Sequence, residues 1–290
     1  MSTKEKAEAI IRQHENNGKY ITVNGIRTFY LDTGVGPVVF CIHGVPTSSF
    51  LYRKVARQLQ LRGLRVIAID LPGLGLSDRP ENFEYIFSNF GRFCNLFLDE
   101  LQIDEIHLLT HDIGTPVGFS LASQNSARIR SITILNSMLD VEHFVKPLLM
   151  RPFEKSLLGE AELAILTPTT FPLMMKSTGV VNNDAITHEE MAVYIYLLKR
   201  EDDGKAFLKI MRNFEQTKEF SKTCYAAFQD PAYPVQLIWS DKDPLLPYEE
   251  YGKQFEEARP GIRVTLVEGK HFLQEEQYET IAARVKELAS

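Results

Sequence analysis

The stretch Ile106-His107-Leu108-Leu109-Thr110-His111-Asp112-Ile113-Gly114-Thr115-Pro116-Val117-Gly118 constrains this chain more than any other. An apolar run bounded by turn signals reads as a buried parallel strand, and the small residues after it let a helix pack closely against that strand. The corner residue, Asp112, is then presented above the sheet. Around this stretch, strand and helix patterns alternate. Residues 38–42, 66–69, 106–109 and 132–135 read as apolar strands, and 50–59 and 90–101 read as helices between them. Such alternation implies right-handed parallel crossovers and an open α/β sheet with helices on both faces.

Two features lie outside the alternation at the start of the chain. Residues 4–14 mix charges with Ala7, Ala9, Ile10 and Ile11 and predict a short amphipathic helix. Next, Tyr20-Ile21-Thr22-Val23 and Ile26-Arg27-Thr28-Phe29-Tyr30 flank Asn24-Gly25, which predicts an antiparallel hairpin. The alternation then breaks at 137–228, where helical patterns such as 191–198 and 207–214 occur without a convincing strand. We read residues 1–136 and 229–290 as one core domain and 137–228 as a helical cap inserted into it. The sheet pattern resumes at 235–239 and 264–267, with helices at 248–258 and 278–288.

Composition narrows the function. A formal charge of -6 argues against nucleic acid as a partner. The three cysteines, Cys41, Cys94 and Cys224, form no C-x-x-C pair, and no histidine cluster has metal-ligand spacing, so neither a disulfide framework nor a metal site is expected. Residues 1–17 lack the apolar core of a signal peptide, and no apolar run approaches the ~20 residues of a membrane span. The expectation is a cytoplasmic protein with a small-molecule substrate, no cofactor and no membrane partner; a homodimer stays open.

Ligands of open α/β sheets bind outside the carboxyl ends of the strands. Four polar stretches fall there: His43-Gly44-Val45-Pro46, the corner at Asp112, Ser240-Asp241-Lys242-Asp243-Pro244, and Gly269-Lys270-His271-Phe272. In a closed apolar pocket Asp112 could attack an sp³ carbon and form an ester, and His271 could deprotonate the water that cleaves it. One rival nucleophile is Ser120, in Gly118-Phe119-Ser120-Leu121-Ala122, but it lies about two turns into the predicted helix.

These motifs resemble the α/β-hydrolases, whose strained strand-to-helix elbow carries the nucleophile. With aspartate at the corner, the chain is similar to the epoxide hydrolase and haloalkane dehalogenase branch. His271-Phe272-Leu273-Gln274-Glu275-Glu276 and Asp70-Leu71-Pro72-Gly73-Leu74-Gly75-Leu76-Ser77-Asp78 carry the same likeness. The resemblance implies an α/β-hydrolase fold with a mostly parallel sheet and an inserted cap, and a triad in the order nucleophile, acid, histidine. It makes Asp112 the nucleophile, His271 the general base and Asp243 the orienting acid, with Asp241 and Asp140 as alternatives for the acid. The backbone N–H groups of Val45 and Ile113 would form the oxyanion hole.

The likeness is uneven at the leaving group. Dehalogenases of this branch hold halide on a Trp after the nucleophile and an Asn or second Trp, positions that here include Ile113 and Val45. Epoxide hydrolases use cap tyrosines, for which Tyr194 and Tyr196 are the candidates, with His143 and His188 as further donors. The expected function is hydrolysis of a small apolar electrophile through an aspartyl ester, an epoxide first. The alternatives are carbon–halogen hydrolysis and a non-catalytic ligand-binding homologue.

Overall fold

The structure is a computed structural model that describes residues 1–290. Eight strands form one sheet: β1 (Gly18–Val23), β2 (Ile26–Thr33), β3 (Val38–Ile42), β4 (Arg65–Ile69), β5 (Ile106–His111), β6 (Ile129–Leu135), β7 (Val235–Ser240) and β8 (Arg263–Val267), in the spatial order β1-β2-β4-β3-β5-β6-β7-β8. The β1–β2 hairpin turns at Asn24 and Gly25, both at positive φ, as a two-residue loop with the right twist requires. β2 also pairs antiparallel with β4, and every pairing from β4 through β8 is parallel.

The parallel strands are continuous apolar runs because helices cover them. β3, β4, β5 and β7 are buried along almost their whole length. The helices pack in two groups. α2 (Arg53–Leu61) lies against α11 (Tyr278–Leu288), while α3 (Phe87–Glu100), α4 (Gly114–Gln124) and α9 (Lys218–Gln229) stack together. α1 (Thr3–Asn16) starts from a Ser2 capping box and packs against α7 (His188–Lys199).

Between β6 and β7 the chain forms helices and turns and no strand: α5 (Leu158–Ile165), α6 (Phe171–Met174), α7, α8 (Lys205–Arg212) and α9. Two sequence expectations shift locally. The helix read over 50–59 opens as a 3₁₀ turn, Ser49–Tyr52, whose first N–H, on Ser49, donates to Asp70 Oδ1 at 2.6 Å. The helix read over 248–258 begins with a wide turn at Tyr248–Gly252 before α10 (Lys253–Ala258). No helix is long and apolar enough to cross a membrane.

Candidate active site

β5 ends at His111, and the next residue, Asp112, turns the chain into α4 with φ at +52°. That left-handed backbone costs a non-glycine residue roughly 1–3 kcal/mol, so it persists only where the surroundings over-determine it. Here they do. Asp112 N–H donates to Asn136 O at 3.1 Å, and Asp112 O accepts from Thr115 N at 3.0 Å and Ser137 Oγ at 2.7 Å. Two glycines make room for the bend: a Cβ on Gly44 would stand 2.4 Å from Asp112 Cβ, and one on Gly114 would stand 2.4 Å from Ile42 O. The elbow is therefore a product of close backbone approach between the β3 and β5 ends.

The Asp112 side chain is almost buried, at 8% exposure, and faces the amides predicted to meet it. Val45 N donates to Asp112 Oδ2 at 3.1 Å, and the adjacent Ile113 amide also favours the charged carboxylate. Burial pushes the Asp112 carboxyl above its ordinary value, opposed by His271 and by these two amides. The result is a weakly solvated carboxylate hydrogen-bonded to one backbone donor and beside a second.

His271 and Asp243 come together as the sequence implied. His271 Nδ1 lies 2.9 Å from Asp243 Oδ2. Asp243 Oδ1 accepts the amides of Leu245 at 2.8 Å and Leu246 at 3.1 Å, so the acid is fixed from both sides. Burial opposes a charge on His271, but Asp243, by charge and hydrogen bond, and Asp112 beyond it hold the imidazole above its usual value. The alternative acids are placed elsewhere. Asp241 Oδ1 accepts Gly269 N, joining the loops that follow β7 and β8, and Asp140 pairs with exposed His143 at 2.9 Å.

One residue that sequence reasoning passed over joins these parts. Asn136, directly after β6, donates from Nδ2 to Asp243 Oδ2 at 2.8 Å and to Lys270 O at 3.2 Å, and accepts Ser240 N on Oδ1 at 2.9 Å. Its carbonyl holds the Asp112 amide. It thus ties the elbow, the acid loop and the histidine loop. Its place at the carboxyl end of a central strand was the only signal in the sequence.

A cavity lies over Asp112 between the core and the helical insertion. Asp112, His271, Val45, Pro46, Leu245, Leu246 and Phe272 form the core side, and the insertion supplies mostly apolar side chains with one charge, Lys146. Lys146 is 6% exposed, pairs with Glu154 at 2.7 Å, and sits 3.9 Å from the centre of the Phe214 ring. Burial holds its ammonium pKa below the usual value, opposed by Glu154.

The tyrosine expectation is corrected. Neither Tyr194 nor Tyr196 lines the cavity. Tyr194 donates its hydroxyl to Glu275 Oε1 at 2.5 Å and stacks on Phe272, because the buried Glu275 carboxylate needs donors and also draws Arg53 and Lys54. Tyr196, two residues along α7, packs against the core as a half-buried ring. His188 is exposed, and so is His143. Trp239, the single tryptophan, is buried with Nε1 on Leu246 O at 2.9 Å. Ser120 is wedged between α4 and α3, donating to Ser88 O at 3.2 Å, and is not presented to the cavity. His43 accepts Leu71 N on Nε2, which places its proton on Nδ1 facing Gly44 O; it is a structural residue.

The chain matches the family described as alpha/beta hydrolase fold over residues 37–278. It belongs to that family, in the dehalogenase-like branch. Among its relatives, a haloalkane dehalogenase of Agrobacterium fabrum is 30% identical over 89% of this chain and 86% of its own length. Mesoderm-specific transcript protein of Mus musculus is 28% identical over 88% of this chain and 79% of its own. Among solved structures, Cfl2 of Burkholderia cenocepacia superposes with a TM-score of 0.80 at 19% identity, covering 93% of this chain and 94% of that one. At that identity it shows the α/β-hydrolase fold alone. The mostly parallel sheet, its helices and the elbow of this α/β-hydrolase agree with the fold expected from the sequence.

Proposed function

We infer that this α/β-hydrolase cleaves a small apolar electrophile in two steps through an ester on Asp112. The observation that carries the reading is one cavity into which the Asp112 carboxylate and the Asp243-bound His271 both face. In the first step Asp112 attacks an sp³ carbon in line and the leaving group departs. The apolar lining favours this, since it strips water from the carboxylate. In the second step His271 takes a proton from water, hydroxide adds to the ester carbonyl, and the amides of Val45 and Ile113 receive the developing oxyanion. Asp243 steadies the imidazolium. The helical insertion acts as the cap over this reaction.

An epoxide is the first substrate class. A departing halide lacks the tryptophan and asparagine donors of the branch: Val45 and Ile113 hold the matching positions, and Trp239 is committed to Leu246 O. The likeness to a haloalkane dehalogenase at 30% identity favours carbon–halogen hydrolysis as the second reading. A single turnover in ¹⁸O water with enzyme in excess tests the mechanism for both. The ester route leaves the label in the Asp112 carboxylate and the product unlabelled; label in the product alone contradicts it. Diol formation set against halide release then orders the two classes.

A further inference from the structure

An apolar cavity that opens an epoxide or expels a halide must answer the negative charge that appears on the departing atom. Asp112, His271 and the Val45 and Ile113 amides all sit on the core side, where they serve the nucleophile and the later oxyanion. The departing atom lies opposite the attacking oxygen in an in-line displacement, which directs it toward the insertion. On that side the lining is Phe144, Pro147, Leu149, Met150, Met174 and other apolar side chains, with Lys146 and Thr178 as the polar ones. Thr178 Oγ1 already donates to Met174 O at 2.8 Å. The tyrosine that could have donated, Tyr194, is held by Glu275.

Lys146 remains. An ammonium carries three N–H donors, and the one hydrogen bond it makes is to Glu154. Its backbone is pinned too, since Lys146 O accepts Arg151 Nε at 2.9 Å, and the Phe214 ring lies against the cation. A buried lysine beside a reaction cavity is costly unless paired, and Glu154 provides the pairing while leaving protons to spare.

Resting on the Asp112-ester reading, we propose that Lys146 is the donor to the leaving anion, giving a hydrogen bond to a halide and a proton to an epoxide oxygen. With an epoxide, an Asp112 oxygen forms a bond to carbon, the ring C–O bond breaks with its electron pair on oxygen, and Lys146 Nζ protonates that oxygen. Hydrolysis of the ester then adds one water. The proton left over as the Asp112 carboxyl ionises returns to Lys146 through solvent, so the net change is epoxide plus water to diol. With a haloalkane the halide leaves on the Lys146 hydrogen bond and no proton moves to it.

The test measures ester formation alone, in a His271→Gln background that stops the second step, by mass spectrometry of the Asp112 peptide. The probes are styrene oxide, 1-chlorobutane and 1-iodobutane. Lys146→Met is expected to slow esterification by styrene oxide about 100-fold or more, the span of general-acid catalysis, and by 1-iodobutane much less, since iodide departs without help. An equal loss with all three probes marks a structural role and overturns the proposal, as does no loss with any. Lys146→Arg keeps the charge and the Glu154 pair but does not release a proton. Should Lys146→Met not fold, this variant is expected to lose at least about tenfold with styrene oxide, within the same general-acid span, and an unchanged rate overturns the proton transfer. Absence of any ester when Lys146 is intact overturns the Asp112 reading itself, and this assignment with it.

Discussion

At the scale of single residues, the chemistry rests on the Asp112 carboxylate and on an imidazole joined to a second carboxylate by a hydrogen bond of 2.9 Å. His271 must be neutral to deprotonate water, and Asp243 holds its pKa above 6.5. Ester hydrolysis is therefore expected to rise with pH through an apparent pKa above that of free histidine. Asp243→Asn should move that apparent pKa down and lower the rate by about 10²–10⁴-fold, readable in a pH–rate profile under single-turnover conditions. A profile that stays in place after the substitution contradicts the orienting role. That Asp112, His271 and Asp243 meet in space was legible in the sequence because each stands where a strand ends. Asn136 was not, since an asparagine after a strand reads as ordinary turn chemistry until the partners on β7 and before His271 are in view. Tyr194 was misread for a related reason. Helical spacing says which residues share a face, but not that a fully buried Glu275 has already claimed the hydroxyl.

Among elements, the elbow and the buried charge cluster behind it carry most of the geometry. Gly114→Ala would drive a methyl group to 2.4 Å from Ile42 O, and backbone cannot yield there as a flexible side chain can. A loss of about 1–3 kcal/mol from overpacking is expected, seen as a lower urea midpoint at unchanged slope. Glu275, between α11 and the His271 loop, binds Arg53 at 2.6 Å and Lys54 at 2.8 Å and accepts Tyr194 from α7. Arg53 in turn reaches Glu190 on α7 at 2.8 Å, so one buried cluster fastens the insertion to the core. Removing that one buried carboxylate leaves two half-buried cations, Lys54 without its carboxylate and Arg53 with Glu190 alone, and Glu275→Leu is expected to cost about 3–5 kcal/mol, measurable by chemical denaturation. A loss below about 1 kcal/mol, the size of an exposed pair, contradicts the picture. Hairpin, parallel strands and final helix were readable because their signals are local. Where the insertion turns its side chains was not, since apolar residues facing a cavity and apolar residues facing the core look alike in sequence.

For the whole molecule, acid stability follows from histidines buried in the neutral state. His14, on the last turn of α1, packs against the rings of Phe29 and Phe50, and burial lowers its pKa from 6.5 to about 4. Burial also lowers His43, His107 and His111. Between pH 6.5 and 4 the unfolded chain binds protons that the folded chain refuses, so stability present above pH 6.5 is lost as the pH falls. His14 alone is expected to contribute about 3 kcal/mol to that loss. His271 runs the other way, its contribution fading as the pH rises through its raised folded value. Urea titrations at pH 7 and pH 5 should show the drop, and His14→Leu should flatten it; an unaltered slope contradicts the assignment. The open, mostly parallel sheet and a site at the carboxyl ends of its strands were implied by the alternation of the sequence, whereas the order of the strands across the sheet was not. The depth at which each histidine lies was not, because burial is decided by elements far apart in the chain.

The most direct measurement is intact-protein mass spectrometry of His271→Gln incubated with an epoxide and a haloalkane series, followed by peptide mapping. A stable adduct on Asp112, absent from the Asp112→Asn, His271→Gln double variant, is the predicted result. An adduct on another residue, or turnover that persists after Asp112→Asn with no adduct on Asp112, contradicts it.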